Sequence, residues 1–167
     1  MSQKAVFLDR DGVINNNDKS YYVYKIENFD FNDGAIEAMQ LLQKKGYIIV
    51  VISNQGGISK KFYEKEDAEL LHKQMIEILA ENGLSLAEIY YCPHHDENER
   101  CLCRKPQGLM IEKAIARFGI DKKQSFMIGD NEIDVLAAKN AGISGYRIKA
   151  NTDLRNILKK IPEFTGS

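Results

Sequence analysis

The sequence lacks several features that would point to a particular class of protein. It has no tryptophan, three prolines and three cysteines in 167 residues, and its formal net charge at pH 7 is −1. This balance of charges argues against a nucleic-acid-binding surface, which needs a basic excess. No apolar run reaches the roughly 20 residues of a membrane-spanning helix. Residues 1–4 lead directly into an apolar run, so we expect no signal peptide, no membrane partner and a soluble cytoplasmic chain.

The length and the order of apolar segments predict the fold class. A chain of 167 residues can bury one sizeable core, and neither a repeat nor a linker divides it, so we predict one domain over residues 1–167. Apolar runs typical of buried strands alternate with segments of helical periodicity. The strands are predicted at 5–8, 47–52, 89–91, 125–128 and 145–148, and the helices at 34–45 with Asp33 as N-cap, 64–82, 109–118, 132–141 and 152–160. This alternation predicts an α/β, Rossmann-like fold with a five-stranded, mostly parallel sheet flanked by helices.

Two carboxylates follow the first apolar run. Residues two apart in an extended chain point the same way, so we expect Asp9 and Asp11 on one side and Arg10 on the other. Neighbouring carboxylates repel each other unless a cation or a proton lies between them. A plain turn after a strand explains an isolated Asp-x-Asp-Gly equally well. The pair therefore indicates a functional site only if other parts of that site follow later strands.

Two later runs also end in polar residues. Residues 53–57 (Ser-Asn-Gln-Gly-Gly) follow the second run and offer hydrogen bonds to an anionic oxygen, although a plain turn fits them too. Asp130 follows the fourth run and could complete a magnesium site with the first pair. Asp134, one helical turn later, could face that site or cap the helix, and we expect it to support Asp130. Open α/β sheets bind ligands at the carboxyl ends of their strands, where these residues are expected to meet.

All three cysteines fall within residues 92–103, which we call the cysteine loop. A Cys-x-His pair and a Cys-x-Cys pair make four ligands suited to tetrahedral zinc: Cys92, His94, Cys101 and Cys103. A set without an open position predicts structural rather than catalytic zinc. His95 is the competing histidine, and three incidental thiols are the competing interpretation. A disulfide within the Cys-x-Cys pair is geometrically awkward.

Arg104 and Lys105 directly follow the last cysteine. A lone Arg–Lys pair is usually solvated surface. Here a metal-bound loop would determine where Lys105 points. Zinc would then act through geometry, by holding a cation where an anion can bind.

In order along the chain, these segments form the pattern Asp9-x-Asp11, Ser53, Lys105 and Gly129-Asp130-x-x-x-Asp134. This pattern resembles the haloacid dehalogenase (HAD) superfamily of phosphotransferases over nearly the whole chain. The resemblance implies the HAD fold and a magnesium-dependent phosphomonoester hydrolase. For a chain of this length we expect no large cap domain. We therefore expect residues 15–24, which we call the entrance loop, to shape the entrance together with the zinc-bound cysteine loop.

The resemblance also implies a role for each residue of the pattern. Asp9 would attack phosphorus to form an aspartyl-phosphate, and Asp11 would act as general acid and then as general base. Asp9, the backbone carbonyl of Asp11 and Asp130 would bind magnesium, while Ser53 and Lys105 would hold the phosphoryl oxygens. Substrate contacts would come from several loops: Lys19, Ser20, Tyr21, Tyr22, Asn54, Gln55, Gly56, Arg104 and Asn131.

The cysteine loop resembles that of one branch, which holds phosphatases of D-glycero-D-manno-heptose 1,7-bisphosphate and of histidinol phosphate. The segments YYVYKIENFDFNDGAIEAM and IYYCPHH look closer to the heptose enzymes, whereas the short spacing between His94 and Cys101 looks closer to the histidinol ones. The heptose enzymes are also expected to have a second proline after Lys105-Pro106, where this chain has Gln107-Gly108-Leu109. The longer matches favour removal of the C7 phosphate from the heptose bisphosphate, a small sugar phosphate, in nucleotide-activated heptose biosynthesis. This branch implies a monomer.

Two unrelated interpretations are less favoured. A receiver-type phospho-acceptor domain also combines acids, a Ser or Thr and a Lys on a five-stranded α/β sheet. In that pattern the acceptor Asp closes the third strand and the Lys comes last, whereas here Lys105 precedes Asp130. A non-enzymatic zinc-dependent interaction module would make the acidic residues dispensable, and the intact acid pair argues against it.

Overall fold

A computed structural model describes residues 2–165 and contains one five-stranded sheet. The strands are β1 Ala5–Leu8, β2 Ile48–Asn54, β3 Glu88–Cys92, β4 Phe126–Gly129 and β5 Ser144–Arg147. Their order is β3-β2-β1-β4-β5, and every neighbouring pair is parallel. The predicted α/β class and five-stranded parallel sheet are confirmed. The prediction of one domain over residues 1–167 extends beyond the described residues at both ends.

Helices connect the strands and cover both faces of the sheet. They are α1 Ala35–Lys44, α2 Lys65–Glu81, α3 Leu109–Phe118, α4 Glu132–Ala141, α5 Arg155–Leu158 and α6 Pro162–Thr165. Residues 26–28 and 122–124 form short 3-10 helices. No helix within residues 2–165 has both the length and the apolar character that crossing a bilayer would require.

The alternation of side chains along β1 divides the core into two layers. Val6 and Leu8 point to one face and pack with residues of α1, α2 and α5, while Ala5 and Phe7 point to the other and pack with α3 and α4. All four side chains are fully buried. Strand β1 is therefore central and apolar on both faces, as expected of a parallel sheet covered on two sides.

The largest differences from the predicted elements lie near the start of α1 and in the C-terminal segment. Asp33 was predicted as N-cap, but Gly34 occupies that position with a φ of 74° and no side chain caps the helix. A Cβ on Gly34 would lie 1.9 Å from Asp153 Oδ1, so close packing against the C-terminal segment accounts for the glycine. The predicted helix 152–160 is a single turn, α5. Most other bounds differ by one or two residues.

Candidate active site

The chain order places the acidic segments at one point of the sheet. Strands β1 and β4 are neighbours, with β2 and β3 on one side and β5 on the other. Ligands of open α/β sheets bind at such a switch point, outside the carboxyl ends of the strands. Asp9 follows β1 and Asp130 follows β4, and both line one cleft of about 160 Å³. The predicted residues that line it are Asp9, Asp11, Tyr21, Tyr22, Asn54, Gln55, Gly56, Arg104, Lys105, Asp130, Asn131 and Asp134.

Lys105 lies at the floor of this cleft. Its Nζ donates to Asp9 Oδ1 at 2.9 Å, to Asp134 Oδ1 at 2.5 Å and to the Ile52 carbonyl at 3.2 Å, and only 3% of the residue is exposed. Burial alone would lower the pKa of Lys105, but the charges of Asp9 and Asp134 raise it above the usual lysine range. Lys105 is therefore a fixed cation beside the predicted nucleophile.

Asp9, Asp130 and Asp134 form a cluster, called the acid cluster here, whose ligand oxygens lie within 4.8 Å of one another. Burial raises the pKa of Asp9 well above the ordinary aspartate value, Lys105 opposes the shift, and the charges of Asp134 and Asp130 add to it. Three carboxylates around one ammonium group leave excess negative charge, and hard oxygen donors are the ligands that Mg²⁺ prefers. The donor set therefore fits magnesium.

Gly12 allows Asp130 to approach the turn that follows β1. The residue has a φ of +88°, and a Cβ built there would lie 2.2 Å from Asp130 Oδ2. Any side chain at position 12 would displace this carboxylate from the cluster. The glycine of the Asp-x-Asp-Gly segment thus serves the acid cluster as well as the turn.

The predicted orientation of Arg10 is wrong. The chain leaves the strand conformation after Leu8, so Arg10 is fully buried and its side chain turns back towards Asp11. Its Nη2 donates to Asp11 Oδ1 at 2.7 Å and to the Val23 carbonyl at 2.6 Å, and its Nε donates to the same Asp11 oxygen at 3.0 Å. Arg10 therefore fixes Asp11 and also anchors the end of the entrance loop.

His72, to which the sequence assigns no role, lies behind Arg10. It is 5% exposed, and its Nε2 lies 3.0 Å from Arg10 Nη1. Since arginine only donates, His72 Nε2 must accept, and the imidazole is neutral. Burial and the charge of Arg10 lower the pKa of His72 to about 3, although Asp11 acts in the opposite sense. No pattern local to α2 signals this contact, because it joins residues 62 positions apart.

Ser53 and Gln55 complete the hydrogen bonding beneath the cleft. Gln55 Nε2 donates to Asp11 Oδ2 at 3.1 Å and to Ser53 Oγ at 2.7 Å, while Tyr63 donates its hydroxyl proton to Gln55 Oε1. Ser53 is 1% exposed and lies below the lining residues rather than among them. Gln55 thus links the predicted general acid to the predicted phosphoryl-binding serine.

The cysteine loop brings its four predicted ligands together: Cys92, His94, Cys101 and Cys103. Cys92 Sγ lies 3.3 Å from His94 Nδ1 and 3.6 Å from Cys101 Sγ, and Cys103 Sγ lies 3.4 Å from the same His94 atom. Tetrahedral zinc with bonds of about 2.3 Å to sulfur and about 2.0 Å to nitrogen places its ligand atoms roughly 3.5–3.8 Å apart. The three thiols and one imidazole therefore fit zinc, and His95 lies outside the set.

Hydrogen bonds connect the cysteine loop and the end of β2 to the backbone at Arg104 and Lys105. The Arg104 backbone N–H donates to Cys101 Sγ at 3.4 Å. The next residue, Lys105, donates its backbone N–H to Asn54 Oδ1 at 3.0 Å, and Asn54 Nδ2 donates to the Lys105 carbonyl at 3.3 Å. Asn54, predicted as a substrate contact, therefore also holds the backbone of the lysine in register with the end of β2.

Some predicted substrate residues are not brought to the cleft, and some lining residues were missed. Lys19 and Ser20 line a separate polar groove, because the entrance loop turns there away from the acid cluster. Asn17, His95 and Ile133 line the cleft but were not predicted. His95 packs tightly against Gly56, since a Cβ built on Gly56 would lie 2.7 Å from His95 Cδ2. The sequence contained a signal for His95, because the zinc site needs one of the two adjacent histidines and leaves the other for a different role.

Comparison with known proteins identifies relatives that span most of the chain. The family described as HAD-hydrolase-like matches residues 102–164. D-glycero-beta-D-manno-heptose-1,7-bisphosphate 7-phosphatase of Pasteurella multocida is 43% identical over 146 residues, which cover 84% of this chain and 78% of the relative. The histidine biosynthesis bifunctional protein HisB of Campylobacter jejuni subsp. doylei is 40% identical over 151 residues, which cover 90% of this chain but only 43% of that longer relative.

A solved structure agrees with these relatives. The crystal structure of D,D-heptose 1,7-bisphosphate phosphatase from B. bronchiseptica, complexed with magnesium and phosphate, has a TM-score of 0.82 and 27% sequence identity, and covers 96% of this chain and 88% of that one. The similarity thus extends over both the acidic segments and the cysteine loop. The chain belongs to the HAD-like hydrolase superfamily, in the branch that includes heptose bisphosphate phosphatases and the HisB proteins.

Proposed function

We propose that this protein is a magnesium-dependent phosphatase that removes the C7 phosphate of D-glycero-D-manno-heptose 1,7-bisphosphate, in the biosynthesis of nucleotide-activated heptose. The observation that carries the proposal is the convergence of Asp9, Lys105 and Asp130 at the switch point of the sheet. Its support from comparison is the 43% identity to a heptose bisphosphate phosphatase over most of both chains. We further propose that it acts as a cytoplasmic monomer.

In the first step, an Asp9 oxygen attacks phosphorus, and the bond from phosphorus to the sugar oxygen breaks. Lys105 and the Arg10 backbone N–H both donate to Asp9 Oδ1, at 2.9 and 3.0 Å. Within residues 2–165, Asp9 Oδ2 accepts no hydrogen bond, so it is the more available nucleophile. Lys105 and Ser53 would hold the phosphoryl oxygens, where negative charge spreads in the transition state.

Asp11 handles the protons. Its Oδ1 accepts from Arg10 and from Asn15 Nδ2 at 3.0 Å, whereas its Oδ2 accepts only from Gln55 among the described residues. Oδ2 is therefore the oxygen that would protonate the leaving sugar oxygen. In the second step, water attacks the aspartyl-phosphate, gives its proton to Asp11 and releases phosphate while Asp9 is regenerated.

Two metals belong to this proposal. Magnesium would be held by Asp9, Asp130 and the backbone carbonyl of Asp11, where it would offset repulsion between the nucleophile and the phosphoryl group. Zinc would be held by the four ligands of the cysteine loop and would have a structural role. Lys105 follows Cys103 by two residues, so the metal-bound loop would keep the lysine at the acid cluster.

The non-reacting part of the substrate would meet a polar and aromatic wall. Arg104 lines the cleft, and its Nη1 donates to the His94 carbonyl at 3.0 Å, which orients the guanidinium. Tyr21 and Tyr22 line the cleft from the entrance loop, with their rings edge to face at 4.9 Å. A cation suits a second phosphate, and tyrosine hydroxyls suit sugar hydroxyls.

Phosphate release from heptose 1,7-bisphosphate and from histidinol phosphate, measured side by side with Mg²⁺, tests this assignment. We expect a clearly higher kcat/KM for the heptose bisphosphate, with both anomers assayed, and no turnover of either compound by Asp9→Asn protein. Much faster cleavage of histidinol phosphate would show that the substrate assignment is wrong.

Histidinol phosphate is the second candidate substrate. The 40% identity to a HisB protein and the short spacing between His94 and Cys101 favour it. Its imidazole could stack on the tyrosines, but it has no second phosphate for Arg104. The relative turnover by Arg104→Gln protein therefore helps to distinguish the two substrates, because only the heptose bisphosphate is expected to lose much affinity.

A further inference from the structure

Asn151 has an unusual backbone conformation beside residues 9–12, which we call the catalytic turn. Its φ is 61°, in the left-handed region that non-glycine residues rarely adopt and that asparagine tolerates better than most. Its backbone N–H donates to the Gly12 carbonyl at 2.8 Å, and the preceding Ala150 lies against Gly12. Such conformations persist where surrounding contacts hold them, so the contacts of Asn151 indicate what it does.

Both ends of the Asn151 amide contact the entrance loop. Oδ1 accepts from the Asn17 backbone N–H at 3.0 Å, and Nδ2 donates to Asp18 Oδ1 at 2.8 Å. Within the part of the chain that the structure describes, these are the hydrogen bonds that join residues 17 and 18 to a distant segment. The Asn16 backbone N–H holds the start of the loop by donating to the Asp30 carbonyl at 2.8 Å. Beyond that point, one side chain, more than 130 positions away in sequence, holds residues 17 and 18.

The other half of the entrance loop is fixed separately. The Val23 carbonyl accepts from Arg10 Nη2, and the Tyr22 ring stacks on Phe62 with centroids 5.1 Å apart. Between the two attachments lies Tyr21, whose exposed ring lines the cleft together with Asn17. The position of the middle of the loop over the cleft thus depends on the Asn151 contacts on one side of it and on the Arg10 and Phe62 contacts on the other.

We propose that Asn151 is a positioning residue that holds the entrance loop over the cleft, where the loop contacts the non-reacting part of the substrate. The substrate part of this inference rests on the proposed function; the structural part does not. Asn151 touches neither the acid cluster nor the predicted phosphoryl contacts. Its loss is therefore expected to weaken binding of the substrate body more than the chemical step.

Asn151→Gly is the decisive variant, because glycine keeps the left-handed backbone and the N–H to Gly12 while removing the amide. We expect KM for heptose 1,7-bisphosphate to rise about tenfold with kcat changed less than about threefold. For p-nitrophenyl phosphate, which lacks the sugar, we expect a smaller loss of kcat/KM. Hydrogen exchange of the Asn17 amide, measured without substrate, is expected to speed up about tenfold.

Matched controls separate the amide from backbone strain. Lys61 is the other described non-glycine residue with positive φ, at 63°, and Lys61→Gly relieves the same strain without touching residues 17 and 18. We expect its KM and its Asn17 exchange rate to match wild type. Asp18→Asn keeps an acceptor for Asn151 Nδ2, so it should remain closer to wild type than Asp18→Ala.

Two results would overturn the inference. One is unchanged Asn17 exchange in Asn151→Gly protein, which would show that the amide does not hold the loop. The other is an equal fall of kcat for both substrates at constant KM, which would mean that Asn151 acts on the catalytic turn through Gly12. Failure of the proposed function would look different, since wild-type protein would then not cleave heptose bisphosphate while the exchange result still decided the role of Asn151.

Discussion

The acid cluster, at the ends of β1 and β4, and the cysteine cluster (Cys92, His94, Cys101 and Cys103), at the end of β3, lie at the same edge of the sheet but differ in what surrounds them. The acid cluster is bonded to a buried cation, Lys105, and opens to the cleft. The cysteine cluster gathers four ligands around one point and has no cationic side chain among them. An open site with hard oxygen ligands can exchange what it binds, whereas a closed set of soft ligands can only hold its loop together.

This difference suggests that the acid cluster carries out the reaction, whereas the cysteine cluster holds Lys105 in position. Changes to the acid cluster should remove activity and leave the fold, whereas changes to the cysteine cluster should remove stability and, through Lys105, activity as well. The covalent link between them is short, since Lys105 follows Cys103 by two residues.

The largest effect is expected from Asp9, the proposed nucleophile. Asp9→Asn should lower kcat by about 10⁴-fold or more, as when one member of a catalytic unit is removed, and Asp11→Asn by about 10²–10⁴-fold. Neither change should abolish folding, and both proteins should keep their zinc. Phosphate release and zinc content of the purified variants give the measurement. Full magnesium-dependent turnover by Asp9→Asn protein would refute the nucleophile assignment.

The second prediction concerns the cysteine cluster. Cys101→Ser combined with Cys103→Ser should remove near-stoichiometric zinc and lower the free energy of unfolding by more than about 4 kcal/mol, the range of a lost structural metal. Metal analysis measures the zinc content, and urea unfolding measures the free energy of unfolding. Leu102→Ser is the matched control, since this side chain lies between the two ligands and is 77% exposed. Zinc retained by the double variant would contradict the assignment.

The next largest effect is expected from His72, the buried histidine behind Arg10. The pKa of His72 is near 6.5 in the unfolded chain, whereas burial and the charge of Arg10 lower it to about 3 in the folded chain. The stability that depends on neutral His72 is therefore fully present above pH 6.5. It is lost as the pH falls towards 3, by up to about 1.4 kcal/mol per pH unit.

His72→Gln tests this directly, because glutamine can accept from Arg10 but does not titrate. The free energy of unfolding, measured in urea between pH 7 and pH 5, should fall less steeply in the variant than in wild type. Parallel profiles would show that folding does not lower the pKa of His72. The Cys101→Ser, Cys103→Ser double variant keeps His72, so its free energy of unfolding should fall between pH 7 and pH 5 as steeply as that of wild type.

The smallest expected effect is stabilisation by magnesium. An ion present at a few times its dissociation constant adds about 1 kcal/mol to the free energy of unfolding. Asp130→Asn should lose this gain, whereas Glu132→Gln, which changes an exposed acid at the start of α4, should keep it. Thermal unfolding with and without Mg²⁺ measures the difference. An equal gain in the Asp130→Asn protein would place the ion elsewhere.

Much of the site could be predicted because parallel strands end at one edge. The acidic segments after β1 and β4 and the polar segment after β2 are each local patterns, and the sheet brings them together without further information. The cysteine loop was equally local, since all four ligands lie within residues 92–103. Predictions of this kind need only the order of elements and the chemistry of each segment.

The features that could not be predicted depend on contacts between distant segments. Arg10 turns inward because Asp11, Val23 and His72 surround it, and no spacing in the sequence records that arrangement. Gly34 starts α1 because the segment at Asp153 packs on it. In both cases packing in three dimensions overrides a local propensity.

The two-residue step from Cys103 to Lys105 has a consequence for how the protein would respond to its surroundings. On our proposal, zinc supply during synthesis decides how many molecules become competent, because the lysine reaches the cleft only on a completed loop. Magnesium concentration then decides how fast each competent molecule turns over. Scarcity of zinc would reduce the number of competent molecules, whereas scarcity of magnesium would lower the turnover rate of each competent molecule.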